Sequence, residues 1–164
     1  MRNEMEIIFD AVSDNEGFAR VAVAAFVSHL NPTLEELADI KTAVSEAVTN
    51  SIIHGYENLY GYGRPGRAPA DQIKINPGKV RIECALEGDL LHIHVTDRGK
   101  GMDNVEQAME PLFTTRPELE RSGMGFAFME AFMDDLEVES SPGKGTVVRM
   151  SKKLGAGGWI EDEE

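Results

Sequence analysis

One stretch of the sequence decides the fold: SEAVTNSIIH, at residues 45–54. Within it Glu46, Asn50 and His54 recur at i, i+4 and i+8, so on a helix they share one face beside an apolar stripe. An Asn amide oxygen is a hard ligand suited to Mg²⁺, and a Glu one turn earlier can accept the proton of an attacking hydroxyl or water. The same row also fits the solvated polar face of an ordinary amphipathic helix, so two interpretations stay open.

A second motif, DRGKG at residues 97–101, follows a predicted strand. Asp97 continues the period-two apolar series of residues 91–95, so its carboxylate is predicted to point to the buried side of the sheet. A buried carboxylate needs a partner, and the exocyclic amine of adenine is a good candidate donor. Gly99 and Gly101 would let the backbone approach a flat base closely. A plain turn after a strand has the same composition, so this motif is weak evidence by itself.

A third motif, SGMG at residues 122–125, directly precedes a helix predicted from Phe126. Glycines at a helix N-terminus expose backbone N–H groups, and the helix dipole favours anions there. Hydroxyl and guanidinium groups that suit a triphosphate precede it in the same loop: Thr114, Thr115, Arg116 and Arg121. The alternative is a helix cap beside a mobile loop. The sequence contains neither a Walker A loop nor a strand–GxGxxG–helix unit.

The helices are predicted from capping signals and apolar periodicity. Capping boxes at residues 13–16 and 33–36 open two helices, the first ending near Leu30 and the second near His54. A third helix spans residues 126–134, with Phe128, Met129, Phe132 and Met133 clustered toward the core. Apolar spacing gives the first helix the series Phe18, Ala22, Ala25, Phe26 and His29, and the second Leu37, Ile40, Val44, Ala47 and Val48.

The strands are predicted where apolar and polar residues alternate. A hairpin through Gly88 and Asp89 joins two of them. The five predicted strands are residues 4–11, 80–86, 91–96, 136–140 and 146–152. Residues 97–122 are predicted to be a loop rich in Gly, Thr and Arg.

Two further segments differ in composition from the rest of the chain. Residues 58–78 contain four glycines and three prolines, which predicts a flexible loop inserted between two structured halves. Residues 154–164 are rich in Gly and then acidic, which predicts a disordered tail. We therefore expect a single domain over residues 1–153, with this loop inside it.

Composition excludes several classes of protein. The net charge of −13 disfavours direct binding of nucleic acid, and no apolar run is long enough to span a membrane. The start of the chain lacks the features of a signal peptide, and a single cysteine suits a reducing cytoplasm. Cys84 alternates with apolar residues, which predicts an inert core thiol. His92 and His94 share a strand face, but no Cys or third His is spaced to complete a zinc site.

The three motifs, in this order, resemble the ATP-binding fold shared by gyrase, histidine kinases and MutL. A closer resemblance is to the anti-sigma F factors of endospore-forming bacteria, through SEAVTNSIIHGYEN, EPLFTTRPELERSGMGF and NEGFARVAVAAF. It covers nearly the whole chain except residues 59–78 and the acidic tail. The resemblance implies an α+β fold of the GHKL type, a two-layer α/β sandwich whose mostly antiparallel sheet is covered on one face by helices.

The resemblance also implies a role for each matching residue. Glu46 would be the catalytic base that accepts the proton of a substrate serine, and Asn50 would hold Mg²⁺ between the phosphates of ATP. Asp97 would bind the adenine amine, and residues 114–125 would form a lid over the phosphates. The remaining implied ATP contacts are His54, Gly99, Gly101, Met102, Thr114, Thr115, Arg121, Ser122, Gly123, Met124, Gly125, Phe126 and Thr146.

The partners implied by the resemblance are proteins. A homodimer with ATP bound would hold a sporulation sigma factor, and an anti-anti-sigma protein would dock on the same region through Arg20, release the sigma factor and be phosphorylated on a serine. From the residues alone, Arg20 is only a charged side chain on an amphipathic helix. One alternative is a nucleotide-switched sigma-binding module without significant kinase activity. Another is an ATP hydrolase in which Glu46 activates water.

Overall fold

An antiparallel sheet is the framework of the fold, which the computed structural model describes for residues 2–56, 78–111 and 124–155. Within that part of the chain the strands are β1 (Arg2–Asp10), β2 (Lys79–Glu87), β3 (Leu90–Asp97), β4 (Asp135–Ser141) and β5 (Gly145–Lys153). Their order is β1-β2-β3-β5-β4, and every neighbouring pair is antiparallel. The predicted α+β class with a mostly antiparallel sheet is therefore confirmed, and each predicted strand lies within a residue or two of an observed one.

The helices of the described chain form the second layer. They are α1 (Asp14–Val27), α2 (Leu34–Asn50), α3 (Val105–Ala108) and α4 (Gly125–Phe132). A 3-10 turn at Ser28–Leu30 ends the first helical segment, as predicted, and a π-helical turn at Ser51–Gly55 follows α2. Of these helices, α2 is central, because both α1 and α4 pack against it. No helix among the described residues is long and apolar enough to cross a membrane.

The core lies between the helices and one face of the sheet. One row across all five strands shows how register builds it, since Met5, Cys84, Ile93, Met150 and Leu136 are consecutive cross-strand partners. Directly opposed residues of neighbouring strands project from the same face of a sheet, so these five side chains lie on one face. Cys84 is 2% exposed, and burial raises the pKa of its thiol to about 12. The prediction of an inert core cysteine is thus confirmed.

The capping box at the start of α2 forms as predicted. Glu36 N–H donates to Thr33 Oγ1 at 3.1 Å, and Thr33 N–H donates to Glu36 Oε2 at 2.7 Å. The capping box predicted at residues 13–16 is wrong, because Ser13 has helical backbone angles and its side chain makes no capping hydrogen bond. There the first N–H groups bond backbone carbonyls instead, including Glu16 N–H to Ser13 O at 3.2 Å.

The predicted apolar series of α1 is not the buried one. The residues that reach the core are Ala19, Val23 and Val27, all fully buried, whereas Phe18 is 54% exposed. Apolar residues occur almost all round this helix, so periodicity alone does not choose the inward face. Met129 in α4 and Met133 at its C-cap are buried as predicted. Phe128 and Phe132 are half-buried and stack on each other, with ring centroids 6.0 Å apart.

The boundaries of three predicted segments are shifted. The loop predicted at residues 97–122 contains α3, whose N-cap Asn104 accepts a hydrogen bond from Gln107 N–H. Gly78, assigned to the flexible loop, is bonded to the structured part of the chain, since Ala11 N–H donates to Gly78 O at 2.7 Å. Leu154, assigned to the disordered tail, is 2% exposed, and its N–H donates to Asp89 O at 2.8 Å. Residues 57–77 and 156–164, which hold the rest of those two predictions, lie outside the described chain.

The two predicted capping boxes offer a matched test. Thr33→Ala removes a formed cap and should lower the free energy of unfolding by about 1 kcal/mol. Ser13→Ala removes a hydroxyl that caps nothing and should change it by less than about 0.5 kcal/mol. Urea denaturation of both variants measures the difference. Equal losses would contradict the assignment of a working cap to Thr33 alone.

Candidate functional site

A cavity of about 220 Å³ opens where the end of α2, the end of β3 and the start of α4 meet. All three sequence motifs contribute residues to its wall. The described lining comprises Ala47, Asn50, Ser51, His54, Gly55, Asp97, Lys100, Gly101, Met102, Asp103, Asn104, Gln107, Ala108, Glu110, Gly125, Phe126, Ala127, Thr146 and Val148. The cavity is a cleft that is partly open to solvent, which is the usual form of a small-molecule site.

The first and third motifs meet at Gly125, the first residue of α4. A Cβ added there would lie 3.1 Å from Glu46 Oε2 and 3.4 Å from either end of the Asn50 side-chain amide. Gly125 is therefore in close contact with both the carboxylate and the amide. A carboxylate, an amide and a helix N-terminus are thus brought together. Asn50 and Gly125 line the cavity, whereas Glu46 lies beside them and is not among the described lining residues.

Asp97, the last residue of β3, is the most deeply buried carboxyl of the cavity wall. Its side chain points inward as the alternation predicted, and the residue is 4% exposed. Gly99 N–H donates to Asp97 Oδ1 at 2.9 Å, and the Ser51 hydroxyl and the Thr146 N–H also donate to the carboxylate. Burial raises the pKa of this carboxyl above 3.8, and these donors limit the rise.

The glycines of the second motif are required by packing against other backbone. A Cβ at Gly99 would lie 2.0 Å from Gly55 O. Gly101 has φ +71°, and a Cβ there would lie 2.0 Å from Ser141 O. Residues 97–101 therefore fit closely between the π-helical turn and the β4–β5 turn, which fixes the position of the Asp97 carboxylate.

Thr146, near the start of β5, presents a hydrogen-bond acceptor to the cavity. Ser140 Oγ donates its single proton to Gly145 O at 2.9 Å, so in the 2.8 Å contact between Ser140 Oγ and Thr146 Oγ1 the threonine is the donor. The proton of Thr146 is then engaged, and only lone pairs remain for a ligand. Met102 N–H also donates to Ser140 Oγ, which places Met102 beside the same cluster.

The other predicted contacts divide into two groups. His54 and Phe126 line the cavity, and Met124 is the residue directly before α4. The helix predicted to run to His54 changes at Ser51 from α to π geometry, so the regular i, i+4, i+8 row ends at Asn50 although His54 still lines the wall. Five predicted contacts lie outside the described residues: Thr114, Thr115, Arg121, Ser122 and Gly123.

Sequence reasoning missed several residues of the wall. Ser51 donates to Asp97, but its position in the sequence shows only a small polar residue next to Asn50. Lys100 is the one lysine or arginine among the described lining residues. Its position between Gly99 and Gly101 was the feature of the sequence that could have indicated a place in the wall. The short helix α3 forms a further part of the wall, which composition did not indicate.

Two other groups of residues lie apart from the cavity. Arg20 is exposed on α1 and forms an ion pair with Glu16 at 2.9 Å. His92 and His94 lie on the sheet face opposite the core, and no group of three His, Cys, Asp or Glu residues in the described chain could hold a metal ion. A zinc site at the histidines therefore has no support in that part of the molecule.

Comparison with known proteins finds relatives along nearly the whole chain. The family described as histidine kinase-like ATPase domain matches residues 11–152. A protein named anti-sigma F factor from Clostridium beijerinckii is 56% identical over 152 residues, which cover 93% of this chain and 95% of that protein. Proteins of the same name from Thermoanaerobacter sp. and Anoxybacillus flavithermus are each 54% identical over 94% of this chain, and they are covered to 96% and 94%.

A solved structure shares the fold. The structure of the RsbU and RsbW domains of Rv1364c from Mycobacterium tuberculosis matches with a TM-score of 0.59 at 20% identity. The match covers 93% of this chain but only 32% of that one, so this chain corresponds to a part of the longer protein.

Replacement of Asp97 by asparagine isolates the buried carboxyl. The pKa of Asp97 in the folded protein lies above its ordinary 3.8, so protonation of this carboxyl favours folding. The gain in free energy of unfolding is complete below pH 3.8, and it is lost as pH rises through the pKa of the folded protein. The free energy of unfolding of the unmodified protein should therefore rise relative to Asp97→Asn as pH falls from neutrality toward 3.8. Urea titrations at several pH values measure the difference, and a constant difference would contradict the burial argument.

Proposed function

This chain belongs to the histidine kinase-like ATPase family and, within it, to the anti-sigma F factors, and we propose that it transfers the γ-phosphoryl group of ATP to a serine of a partner protein and also sequesters a sigma factor. The observation that supports the proposal is the approach of Glu46 and Asn50 to Gly125, because Asn50 and Gly125 line the same cavity as Asp97 and Glu46 lies directly beside them. A base, a metal ligand and an acceptor for adenine are thereby available in one site.

The proposed binding of adenine depends on hydrogen-bond acceptors in the cavity wall. The amine of adenine donates hydrogen bonds, and the wall offers the Asp97 carboxylate and the lone pairs of Thr146 Oγ1. A guanine or hypoxanthine base held in the same position would place its 6-carbonyl oxygen where adenine has its amine, and that oxygen cannot donate to the acceptors there. The site therefore suits ATP among the purine triphosphates.

The phosphate end depends on the N-terminus of α4. Its first residue, Gly125, adjoins Asn50, whose amide oxygen fits Mg²⁺, an ion that takes oxygen ligands and keeps several waters. The small number of protein donors suits an ion whose other ligands come from phosphate and water, so Asn50 is the residue that would hold it. Bound Mg²⁺ would neutralise part of the negative charge on the phosphate oxygens, which is needed in a protein of net charge −13.

The proposed reaction is a direct transfer. The serine oxygen of the partner forms a bond to the γ-phosphorus, the bond from that phosphorus to the bridging oxygen breaks, and ADP leaves. Glu46 accepts the hydroxyl proton in the same step. Most of the rate enhancement would come from positioning and from electrostatic stabilisation, because a phosphoryl transfer requires little covalent help from the protein.

The proposed protein contacts lie on α1. Arg20 is exposed there between Phe18 and Val21, which are 54% and 57% exposed. A cation beside large exposed apolar side chains is typical of a protein interface. The anti-sigma F relatives carry the name of a sigma factor, and we assign to this surface the sigma factor and the anti-anti-sigma substrate in turn. A homodimer and a cytoplasmic location complete the proposal.

Glu46→Gln tests the catalytic base. Loss of the proton acceptor should slow phosphotransfer by about 10²-fold or more, while ATP affinity changes little because the amide keeps the shape of the side chain. Label transfer from γ-labelled ATP to the anti-anti-sigma protein measures it. Glu35→Gln is the matched control, since Glu35 is an exposed carboxylate in the first turn of the same helix.

The outcomes of this assay separate the alternatives. Transfer at full rate by Glu46→Gln would remove Glu46 from its role. No transfer by the unmodified protein, together with nucleotide-dependent capture of a sigma factor, would favour a pure binding module. Steady release of phosphate without any protein partner would favour an ATP hydrolase.

Asn50→Ala tests the metal ligand. ATP affinity should fall by about tenfold or more in Mg²⁺ and change much less in EDTA, because the amide oxygen would act on the nucleotide through the ion. Isothermal titration in both buffers measures the two effects. Thr49→Ala, a change at the preceding residue that does not line the cavity, is the control. Equal losses in Mg²⁺ and in EDTA would make Asn50 a structural residue.

A further inference from the structure

The hydroxyl of Tyr56 occupies a position in the sheet that backbone would otherwise fill. The last pair of the β2–β3 ladder is Val80 with Asp97, so the next pair in register would be Lys79 with Arg98. Instead, Arg98 N–H donates to Tyr56 Oη at 2.8 Å, and Tyr56 Oη donates to Lys79 O at 2.6 Å. The phenol is inserted between the two strands at the point where β3 ends, which lets the chain leave the sheet directly after Asp97.

Gly55, the preceding residue, supports the segment that leaves the sheet. Lys100 N–H donates to Gly55 O at 2.8 Å, and Gly99 lies against the same carbonyl. A Cβ at Gly55 would lie 3.0 Å from Asp97 Oδ1. The carbonyl of Gly55 thus binds the turn at residues 97–101, and the absence of a side chain at Gly55 leaves room for the Asp97 carboxylate.

The ring of Tyr56 is itself fixed. Tyr56 is 6% exposed, and a Cβ at Gly78 would lie 2.2 Å from its ring, so Gly78 packs directly against the ring. Burial raises the pKa of the phenol above 10.0, so the hydroxyl keeps the proton that it donates to Lys79 O. The bridge is therefore a rigid support rather than an exchangeable surface contact.

We propose that Gly55 and Tyr56 are positioning residues that place the turn at residues 97–101 and thereby set the preference of the site for adenine. The inference rests on the proposed function in one respect, namely that the Asp97 carboxylate accepts a hydrogen bond from the adenine amine. Without the hydroxyl, Arg98 N–H and Lys79 O lose the partner that they share, so the link that sets the distance of Arg98 from β2 is lost and the turn can shift. Gly99 N–H holds Asp97 Oδ1, so the carboxylate moves with the turn.

The test compares ATP with inosine triphosphate, in whose base a carbonyl replaces the 6-amino group and N1 carries a proton. The unmodified protein should bind ATP more tightly by about tenfold or more, the effect of one hydrogen bond to a charged acceptor. Tyr56→Phe keeps the ring and should reduce that ratio at least about threefold, chiefly by weakening ATP. General loosening of the fold would weaken both nucleotides equally and leave the ratio unchanged.

A control and a second variant complete the experiment. Ser151→Ala removes another buried hydroxyl, whose hydrogen bond to Asp135 lies outside the cavity wall, and it should leave the ratio unchanged. Gly55→Ala keeps the phenol and both of its hydrogen bonds but presses on the Asp97 carboxylate, and it too should reduce the ratio. Gly55→Ala decides the question if Tyr56→Phe does not fold.

The result also separates this inference from the function on which it rests. An unmodified protein that binds both nucleotides equally, or neither, would overturn the proposed adenine site. A clear preference for ATP that survives both Tyr56→Phe and Gly55→Ala would overturn the positioning role alone.

Discussion

The burial of one carboxyl group, that of Asp97, is the constraint on which the rest of the site depends. A carboxylate that is 4% exposed is tolerated only when donors surround it. Those donors come from separate parts of the chain, since Ser51 lies on the π-helical turn, Gly99 on the turn after β3 and Thr146 on β5. The need to satisfy this group therefore gathers at one point the segments that form the wall of the cavity. Burial of the Asp97 carboxyl destabilises the folded protein when no ligand is bound, an arrangement that is typical of functional sites.

The close approach of backbone segments is the means by which the constraint is met. Gly55, Gly99 and Gly101 have no side chains, and a Cβ at either of the last two would meet backbone oxygen at 2.0 Å. Gly125, in the third motif, lies in close contact with the side chains of Glu46 and Asn50. At Gly99 and Gly101 the close neighbour is backbone, which cannot shift as a flexible side chain can, so the turn at residues 97–101 is fixed before any ligand arrives. Such preorganisation is what electrostatic catalysis and base selection both require.

Local signals in the sequence predicted the parts of this arrangement that depend on near neighbours. The inward direction of Asp97 follows from alternation along β3, and the start of α2 follows from Thr33 and Glu36. The convergence of the motifs was implied by resemblance to a known fold and not by spacing. The bridge from Tyr56 to Lys79 and Arg98 could not be predicted, because it joins residues that are 23 and 42 positions apart. The inward face of α1 was missed for a different reason, since its apolar residues leave no polar side to mark the outside.

The central claim is that one purine triphosphate occupies the cavity between Asp97 and the start of α4. The most direct measurement is a crystal structure of the full chain with Mg²⁺ and a non-hydrolysable ATP analogue. The account predicts the 6-amino group of the base within hydrogen-bond distance of the Asp97 carboxylate, and the phosphates at Gly125 with Asn50 beside the metal ion. An analogue bound elsewhere, or bound in this cavity with its base away from Asp97, would contradict the account.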